Sequence, residues 1–259
     1  MNEEALKNYY NKFNEDKRLT TKHGKVEFLT AMEYIKEYLK AYENAKIVDI
    51  GAGCGAYSIP LSEAGYDVTA VELVKHNLKV IESKSNKINC ICTNALDMHM
   101  LQDESFDIAL LFGPMYHLIT TEEKIQCLKE VKRILKKDGL IFISYCMNEY
   151  ALITHGIKEG FLNQSIENNN VDYDFHIISN EDDLYSYVRL EDINMLNDKA
   201  ELKRIKIINQ DGPTEYLKRE INQMDETTFK NYFNYHIRNC ERPELLGAGR
   251  HILDIVKKK

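Results

Sequence analysis

The chain has 259 residues, 44% of them hydrophobic, which suffices for one large α/β domain or for a domain with an inserted piece. Its formal net charge of −7 sets up no global basic field for nucleic acid or an anionic membrane, and Lys257, Lys258 and Lys259 are a local, solvated exception. No apolar run reaches the ~18 residues of a membrane span, and MNEEALKNYY is too polar and acidic for a signal peptide, so the expectation is a cytoplasmic protein.

Six cysteines stand at 54, 90, 92, 127, 146 and 240, with no C-x-x-C pair among them. Cys90 and Cys92 alternate onto one face of a strand, which reads as free thiols rather than as half of a zinc site, and no metal is expected.

Residues 3–45 read as helical, with Val26, Leu29, Ile35 and Leu39 as apolar positions and Tyr34 and Tyr38 one turn apart. Tyr9, Tyr10 and Phe13 form an aromatic cluster ahead of them, followed by Arg18. Ile47-Val48-Asp49-Ile50 is the short apolar run of a buried parallel strand. Gly51-Ala52-Gly53-Cys54-Gly55 follows, where the chain must turn sharply and let a ligand approach bare backbone. A helix over 57–64 aims its first N–H groups into that turn. Residues 67–71 form a second strand ending on Glu72. A carboxylate there, about 20 residues beyond the glycines, is placed to accept hydrogen bonds from a ribose diol. These pieces make a nucleoside-binding βαβ unit.

The nucleoside follows from the glycine spacing. A dinucleotide fingerprint is G-x-G-x-x-G, whereas the spacing here is G-x-G-x-G, with Asp49 two residues before the first glycine. A carboxylate is unfavourable beside a pyrophosphate and favourable beside a cationic sulfonium and amino group. On Asp49, Gly51, Gly53 and Gly55 the chain resembles the class I S-adenosylmethionine-dependent methyltransferases, whose first motif is an acid, an apolar residue and then G-x-G-x-G. The resemblance implies that Gly51, Ala52, Gly53 and Gly55 bring backbone against the methionine moiety, with Asp49 near its cationic end. It also implies that Glu72 takes the ribose hydroxyls and Leu73 packs on adenine. In such enzymes an N-terminal aromatic segment often lies over the cofactor, which would give Tyr9, Tyr10 and Arg18 roles in closing the pocket. The competing reading is a surface helix with docked aromatics.

A helix over 74–84 and a third strand over 88–93 lead into Asn94-Ala95-Leu96-Asp97. The resemblance implies that this segment holds the adenine edge, with Asp97 accepting from the exocyclic amine, although Asn94 stands where the family more often has Asp. A turn or helix cap is the alternative. The fourth strand, 106–112, carries Phe112 to the cofactor side and ends in Gly113-Pro114-Met115-Tyr116-His117. By the same resemblance, residues just past this strand face the transferred methyl. Amino-methylating enzymes of nucleic acid place an Asp or Asn, two prolines and an aromatic there. Here Gly113 has no accepting side chain, Met115 replaces a proline and Tyr116 alone survives, which together with the acidic charge argues against adenine methylation in DNA or RNA. His117 is the general-base candidate, with a hydrogen-bonded structural histidine as the alternative. Positioning alone serves many methyl transfers, because the sulfonium is a strong electrophile.

Thr120 and Glu123 form a capping box for a helix whose stripe is Ile125, Leu128, Val131 and Leu135, and Gly139 reads as its left-handed stop. Residues 140–145 are a fifth buried strand. From 148 to 200 the composition shifts to Asn, Asp, Glu and Tyr. Helical pieces over 148–163 and strand-like pieces over 175–179 and 185–188 alternate with turns. That stretch reads as an insertion shaping the substrate pocket, with Tyr150, Tyr173, Tyr185 and Tyr187 as lining candidates. A sixth strand over 201–208, a helix over 227–240 and a closing strand over 250–256 complete the chain, the last antiparallel to its neighbour.

The expected fold is α/β, a doubly wound, mostly parallel, Rossmann-like seven-stranded sheet. It divides into an N-terminal helical cap (1–45), a cofactor-binding core (46–147), the insertion (148–200) and a C-terminal completion of the sheet (201–259). The expected activity is methyl transfer from S-adenosyl-L-methionine to a small molecule, with the acceptor atom and the oligomeric state open. The rival readings are an NAD-dependent oxidoreductase and a non-catalytic S-adenosylmethionine-binding partner protein.

Overall fold

The computed structural model describes residues 3–12 and 21–258. Helices α1 (Glu3–Lys12) and α2 (Lys22–Leu39) precede the sheet. The first half then alternates β1 (Lys46–Ile50), α3 (Ser58–Glu63), β2 (Asp67–Glu72), α4 (Lys75–Lys84), β3 (Asn89–Cys92) and β4 (Phe106–Leu111). A short turn of helix, α5 (Pro114–His117), leads into α6 (Thr121–Ile134) and β5 (Leu135–Cys146). The second half holds α7 (Asn148–Ala151), α8 (Leu162–Glu167), α9 (Leu190–Lys199), β6 (Leu202–Asn209), α10 (Lys218–Gln223), α11 (Glu226–Asn239) and β7 (His251–Lys258).

The seven strands order as β3-β2-β1-β4-β5-β7-β6. All neighbours are parallel except β7, which runs antiparallel to both β5 and β6. β1 is buried at four of its five positions, as a strand covered on both faces must be. Two hydrophobic cores result. One packs Val48, Ile50 and Leu111 with Leu128 and Val131 of α6, and the other packs Ile47, Ile108 and Phe142 with Ile35 and Leu39 of α2. The chain leaves β1 toward β2 on one side and returns at β4 on the other. The carboxyl ends of β1 and β4 therefore flank the point where strand order reverses, the place where open α/β sheets bind ligands.

The capping box forms as read: Thr120 Oγ1 accepts from Glu123 N at 3.1 Å, and Glu123 Oε2 accepts from Thr120 N at 3.2 Å. The expected stop at Gly139 does not. The helix ends at Ile134, and Gly139 lies inside β5 without a positive φ. Pairing of Leu135 with Phe106 converts Leu135, Lys136 and Lys137 to strand at once. A Cβ at Gly139 would stand 3.1 Å from the Asp107 carbonyl, so the glycine permits close strand approach instead of a helix stop.

The insertion is less regular than its alternation suggests. Residues 148–163 divide into α7, a π-helical stretch Leu152–Lys158 and the start of α8. The strand-like pieces over 175–179 and 185–188 form no strands. Only isolated bridges, Val171 to Ile177 and Met147 to Val188, occur there, because no continuous edge lies alongside to pair with them.

Candidate active site

The glycine turn is built by backbone geometry that side chains resist. Gly51 and Gly53 have φ of +74° and +53°, and the N–H groups of Gly51 and Ala52 both donate to the Val71 carbonyl, at 2.8 and 3.1 Å. Glu72, at the tip of β2, closes the turn. Its Oε2 accepts from Gly53 N and its Oε1 from Val74 N, each at 2.8 Å. Asp49, 1% exposed at the end of β1, accepts 2.6 Å from the Ser58 hydroxyl. Burial pushes the Asp49 carboxyl up to about 6 and raises that of Glu72, against the pull of their hydrogen bonds.

These groups open onto one cavity at the carboxyl ends of β1, β2 and β4. Of the sequence-predicted residues, Asp49, Gly51, Ala52, Gly53, Glu72 and Leu73 line it on one side. Asn94, Ala95, Phe112, Tyr116 and His117 line it on the others. Two carboxylates face the cavity, and no Lys or Arg stands among the described lining residues. That donor set fits a ligand with a cationic end and a diol, flanked by apolar Leu73, Val74 and Phe112 for a flat ring. Two carboxylates beside the turn are unfavourable for a pyrophosphate.

Other predicted residues stand elsewhere. Gly55, φ +86°, is absent from the lining, and a Cβ there would meet Ile59 Cδ1 at 2.9 Å, so its role is packing. Leu96 donates its N–H to the Asn94 side-chain oxygen in a local turn and does not reach the cavity. Asp97 stands apart from the cavity. Its carboxylate is exposed and accepts 2.8 Å from His99 Nδ1, outside the lining, because the turn at Asn94 carries it to the surface. Tyr9 is likewise off the lining and packs edge-on against Tyr185 at 6.5 Å. The Tyr10 side chain and Arg18 lie outside the described residues.

Several lining residues escaped the sequence reading. Leu6 of α1 reaches the cavity, and Glu3 beside it accepts 2.6 Å from the Asn94 amide. The i, i+3, i+6 spacing of Glu3, Leu6 and Tyr9 was the available signal. Tyr57, whose ring lies 4.6 Å from that of Phe112, together with Asn77 and Thr93, carried no signal beyond their nearness to strand tips.

At the opposite end of the cavity, α5 presents Tyr116 and His117. The Tyr116 hydroxyl donates to the Phe112 carbonyl at 3.0 Å. His117 Nδ1–H donates to the Leu184 carbonyl at 2.7 Å, which makes Nε2 the acceptor nitrogen. Burial holds the imidazole at about 4, so it is neutral at physiological pH. Tyr185 of the insertion stacks on Tyr116 at 6.1 Å and lies 5.0 Å from His117. Among the described residues no cluster of three or more His, Cys, Asp or Glu side chains is arranged to hold a metal, and no helix is long and apolar enough to cross a membrane.

Residues 48–143 match the family described as methyltransferase domain. A glycine/sarcosine N-methyltransferase of Aphanothece halophytica is 30% identical over 134 residues, 50% of this chain and 49% of that protein. A ubiquinone biosynthesis O-methyltransferase of Pelagibacter ubique is 31% identical over 126 residues, 44% of this chain and 51% of that protein. The chain thus matches these curated relatives over about half their length. Among solved structures, a S-adenosylmethionine-dependent methyltransferase of Methanosarcina mazei superposes with a TM-score of 0.58 at 16% identity, covering 87% of this chain and 96% of that one. The expected fold agrees with the superposition, and the family resemblance with the match over residues 48–143.

Proposed function

We propose, from the premise that residues 48–143 are a methyltransferase domain of the class I S-adenosylmethionine-dependent family, that this chain transfers a methyl group to a small-molecule acceptor. The observation that carries this reading is the acid-lined cavity in which Glu72 is fixed on Gly53 while Asp49 stands behind the same turn. Glu72 holds the ribose hydroxyls through the lone pairs its backbone partners leave, Leu73 packs on adenine, and Asn94 and Ala95 meet the ring edge. The turn from Gly51 to Gly53 receives the methionine part, with Asp49 supplying negative potential. The cofactor contributes an electrophilic methyl group on a sulfonium.

The chain's own part in the transfer is alignment and exclusion of water. Phe112, Tyr116 and His117 bound the end of the cavity where an acceptor enters. A histidine held near 4 takes up a full proton only weakly at neutral pH. Its Nε2 therefore orients the acceptor as a hydrogen-bond acceptor, and in-line positioning supplies most of the rate. The insertion over residues 148–200 forms the acceptor side, which its Tyr185 supports by packing on Tyr116 and His117. A small molecule suits this arrangement better than nucleic acid, given the net charge of −7 and the lack of an accepting side chain at Gly113.

Parallel calorimetric titrations with S-adenosylmethionine, S-adenosylhomocysteine and NAD test the reading. Micromolar binding of the first two with NAD silent is the expected result. Binding of NAD alone would overturn it.

A further inference from the structure

Arg250 immediately precedes β7. Because β7 runs antiparallel, its first residues stand at the same sheet edge as the carboxyl ends of β4 and β5, with His251 opposite Cys146. The Arg250 carbonyl accepts from Met147 N at 2.9 Å, which fixes the residue beside the tip of β5. Its guanidinium carbon lies 5.5 Å from the centre of the Tyr150 ring, and Tyr150 packs in turn on Tyr216 at 5.7 Å. The Tyr116 ring, which lines the cofactor cavity, stands 5.9 Å from the ring of His251 and 6.1 Å from that of Tyr185. Arg250 thus lies outside the cavity lining, in the cluster with Tyr150 and next in sequence to His251, whose ring neighbours Tyr116.

This guanidinium is left incomplete. Its Nε is buried and has no hydrogen-bond partner among the described residues. The guanidinium donates to the Cys146 sulfur and Tyr150 lies beneath it, while the two carboxylates whose field reaches it, Glu27 and Glu215, are engaged elsewhere. Glu27 Oε2 stands 3.6 Å from His251 Nδ1, while Glu215 faces His23 at 3.6 Å and Lys218 at 3.5 Å. The other cation of the cluster, His251, is paired with Asp211 at 2.8 Å. Arg250 also helps hold His117 in its neutral form, so its field reaches the cavity. A buried Nε–H without a partner is costly, and the planar fork matches one ligand group above others.

Resting on the methyltransferase reading, we propose that Arg250 anchors a carboxylate of the methyl acceptor in a tyrosine-walled subsite formed by Tyr150 and Tyr185 behind Tyr116. The fork gives the carboxylate paired N–H donors and the rings exclude water from the pair. The acceptor's reacting atom is thereby directed past Tyr116 toward His117. Cationic acceptors without a carboxylate are disfavoured by the same charge.

The test begins with S-adenosylhomocysteine binding to the full chain, which reads the cofactor site independently of Arg250. The resulting complex is then titrated with benzoate against benzamide and with butyrate against butyramide. The expected result is that the acids bind at least tenfold more tightly than their amides. Arg250→Met should erase that preference while S-adenosylhomocysteine affinity stays within twofold, which also reports that the variant is folded. Should Arg250→Met fail to fold, Arg250→Lys, which keeps the charge without the planar fork, must weaken benzoate at least threefold. Equal binding of acids and amides, no binding of any probe, a preference surviving in Arg250→Met, or unaltered benzoate affinity in Arg250→Lys would each overturn the proposal. Silence of S-adenosylhomocysteine would instead overturn the methyltransferase reading. The acid–amide comparison, repeated on the protein without it, would still decide the role of Arg250.

Discussion

Glu72 and Gly53 are joined by a 2.8 Å hydrogen bond from the Gly53 N–H to Oε2, across 19 residues of chain. The same carboxylate accepts from Val74 N through its other oxygen. One side chain therefore sets the shape of the glycine turn and the start of the segment that follows β2. Replacing Glu72 with Ala removes a charged acceptor from the cavity and leaves two backbone donors without it. Hydrogen bonds to a charged group contribute ~1.5–3 kcal/mol, so S-adenosylmethionine affinity should fall tenfold or more by calorimetry. Glu72→Gln should retain part of the turn, since its carbonyl oxygen still accepts one bond, and lose affinity less. Unchanged affinity in Glu72→Ala would remove the ribose role from this residue.

Gly51 couples the cofactor turn to the acceptor end. At its φ of +74° an added Cβ would lie 2.7 Å from Pro114 Cδ, and Pro114 opens the helical turn that carries Tyr116 and His117. Gly51→Ala should destabilise the fold by the ~1–2 kcal/mol of left-handed strain it introduces and by a further increment for the displaced proline, with cofactor affinity down at least tenfold. Gly65 supplies the control. Its φ is +97° with no atom within 4 Å of a built Cβ, so Gly65→Ala carries the backbone cost alone. Chemical denaturation of both variants gives the Pro114 contribution by difference. Equal destabilisation would mean that the loop yields freely.

How much of this was legible in the sequence depended on how local each determinant is. Asp49, Gly51, Gly53 and Glu72 belong to strand, turn and strand in immediate succession, so their spacing alone is enough to bring them to one cavity. Asp97 follows a strand tip as an adenine contact would, but the turn closed by the Asn94 side chain sends it outward to His99. Lys136-Lys137-Asp138-Gly139 reads as a helix end, yet Leu135 pairs with Phe106 and the strand has already begun. Leu6 reaches the cavity from a distant segment, where the helical spacing of Glu3, Leu6 and Tyr9 marks a face but not what that face meets. Residues 175–179 and 185–188 alternate like strands but lack an edge to join, and alternation without a partner is only a surface pattern.

The buried neutral His117 makes stability depend on pH. Its folded value of about 4 lies below its ordinary 6.5, so the unfolded chain binds the proton more readily. The contribution is fully present above pH 6.5, declines as pH falls toward 4, and is gone below that. The shift corresponds to ~3 kcal/mol. His117→Gln should flatten this part of the stability profile measured by denaturation at a series of pH values. In the wild type, the imidazole signals should show no titration near 6.5 by NMR. A titration there would mean that the ring is charged in the neutral range and would restore it as a full general base.

His251 shows the opposite sign a few ångströms from Tyr116. Burial alone would lower its value, but Glu27, Cys146 and Asp211 together hold it at about 10. Asp211 does so by direct contact, accepting from the ring Nδ1 at 2.8 Å and, through its other oxygen, from the His251 backbone N–H at 3.0 Å. Because the folded value lies above 6.5, the stabilisation is present below that pH and is lost as pH rises through about 10. Asp211→Asn leaves a fully buried imidazolium with Glu27 at 3.6 Å as its remaining described carboxylate partner. Removing one member of a buried charge pair costs ~3–5 kcal/mol, and the loss should be largest at neutral pH and shrink in alkali, where wild-type His251 also gives up its proton. Denaturation of Asp211→Asn, His251→Gln and the double variant at pH 7 and pH 10 separates the pair from its surroundings. A coupling energy near zero at pH 7 would show that the two residues are held by packing, and that the positive charge beside Tyr116 belongs to Arg250 alone.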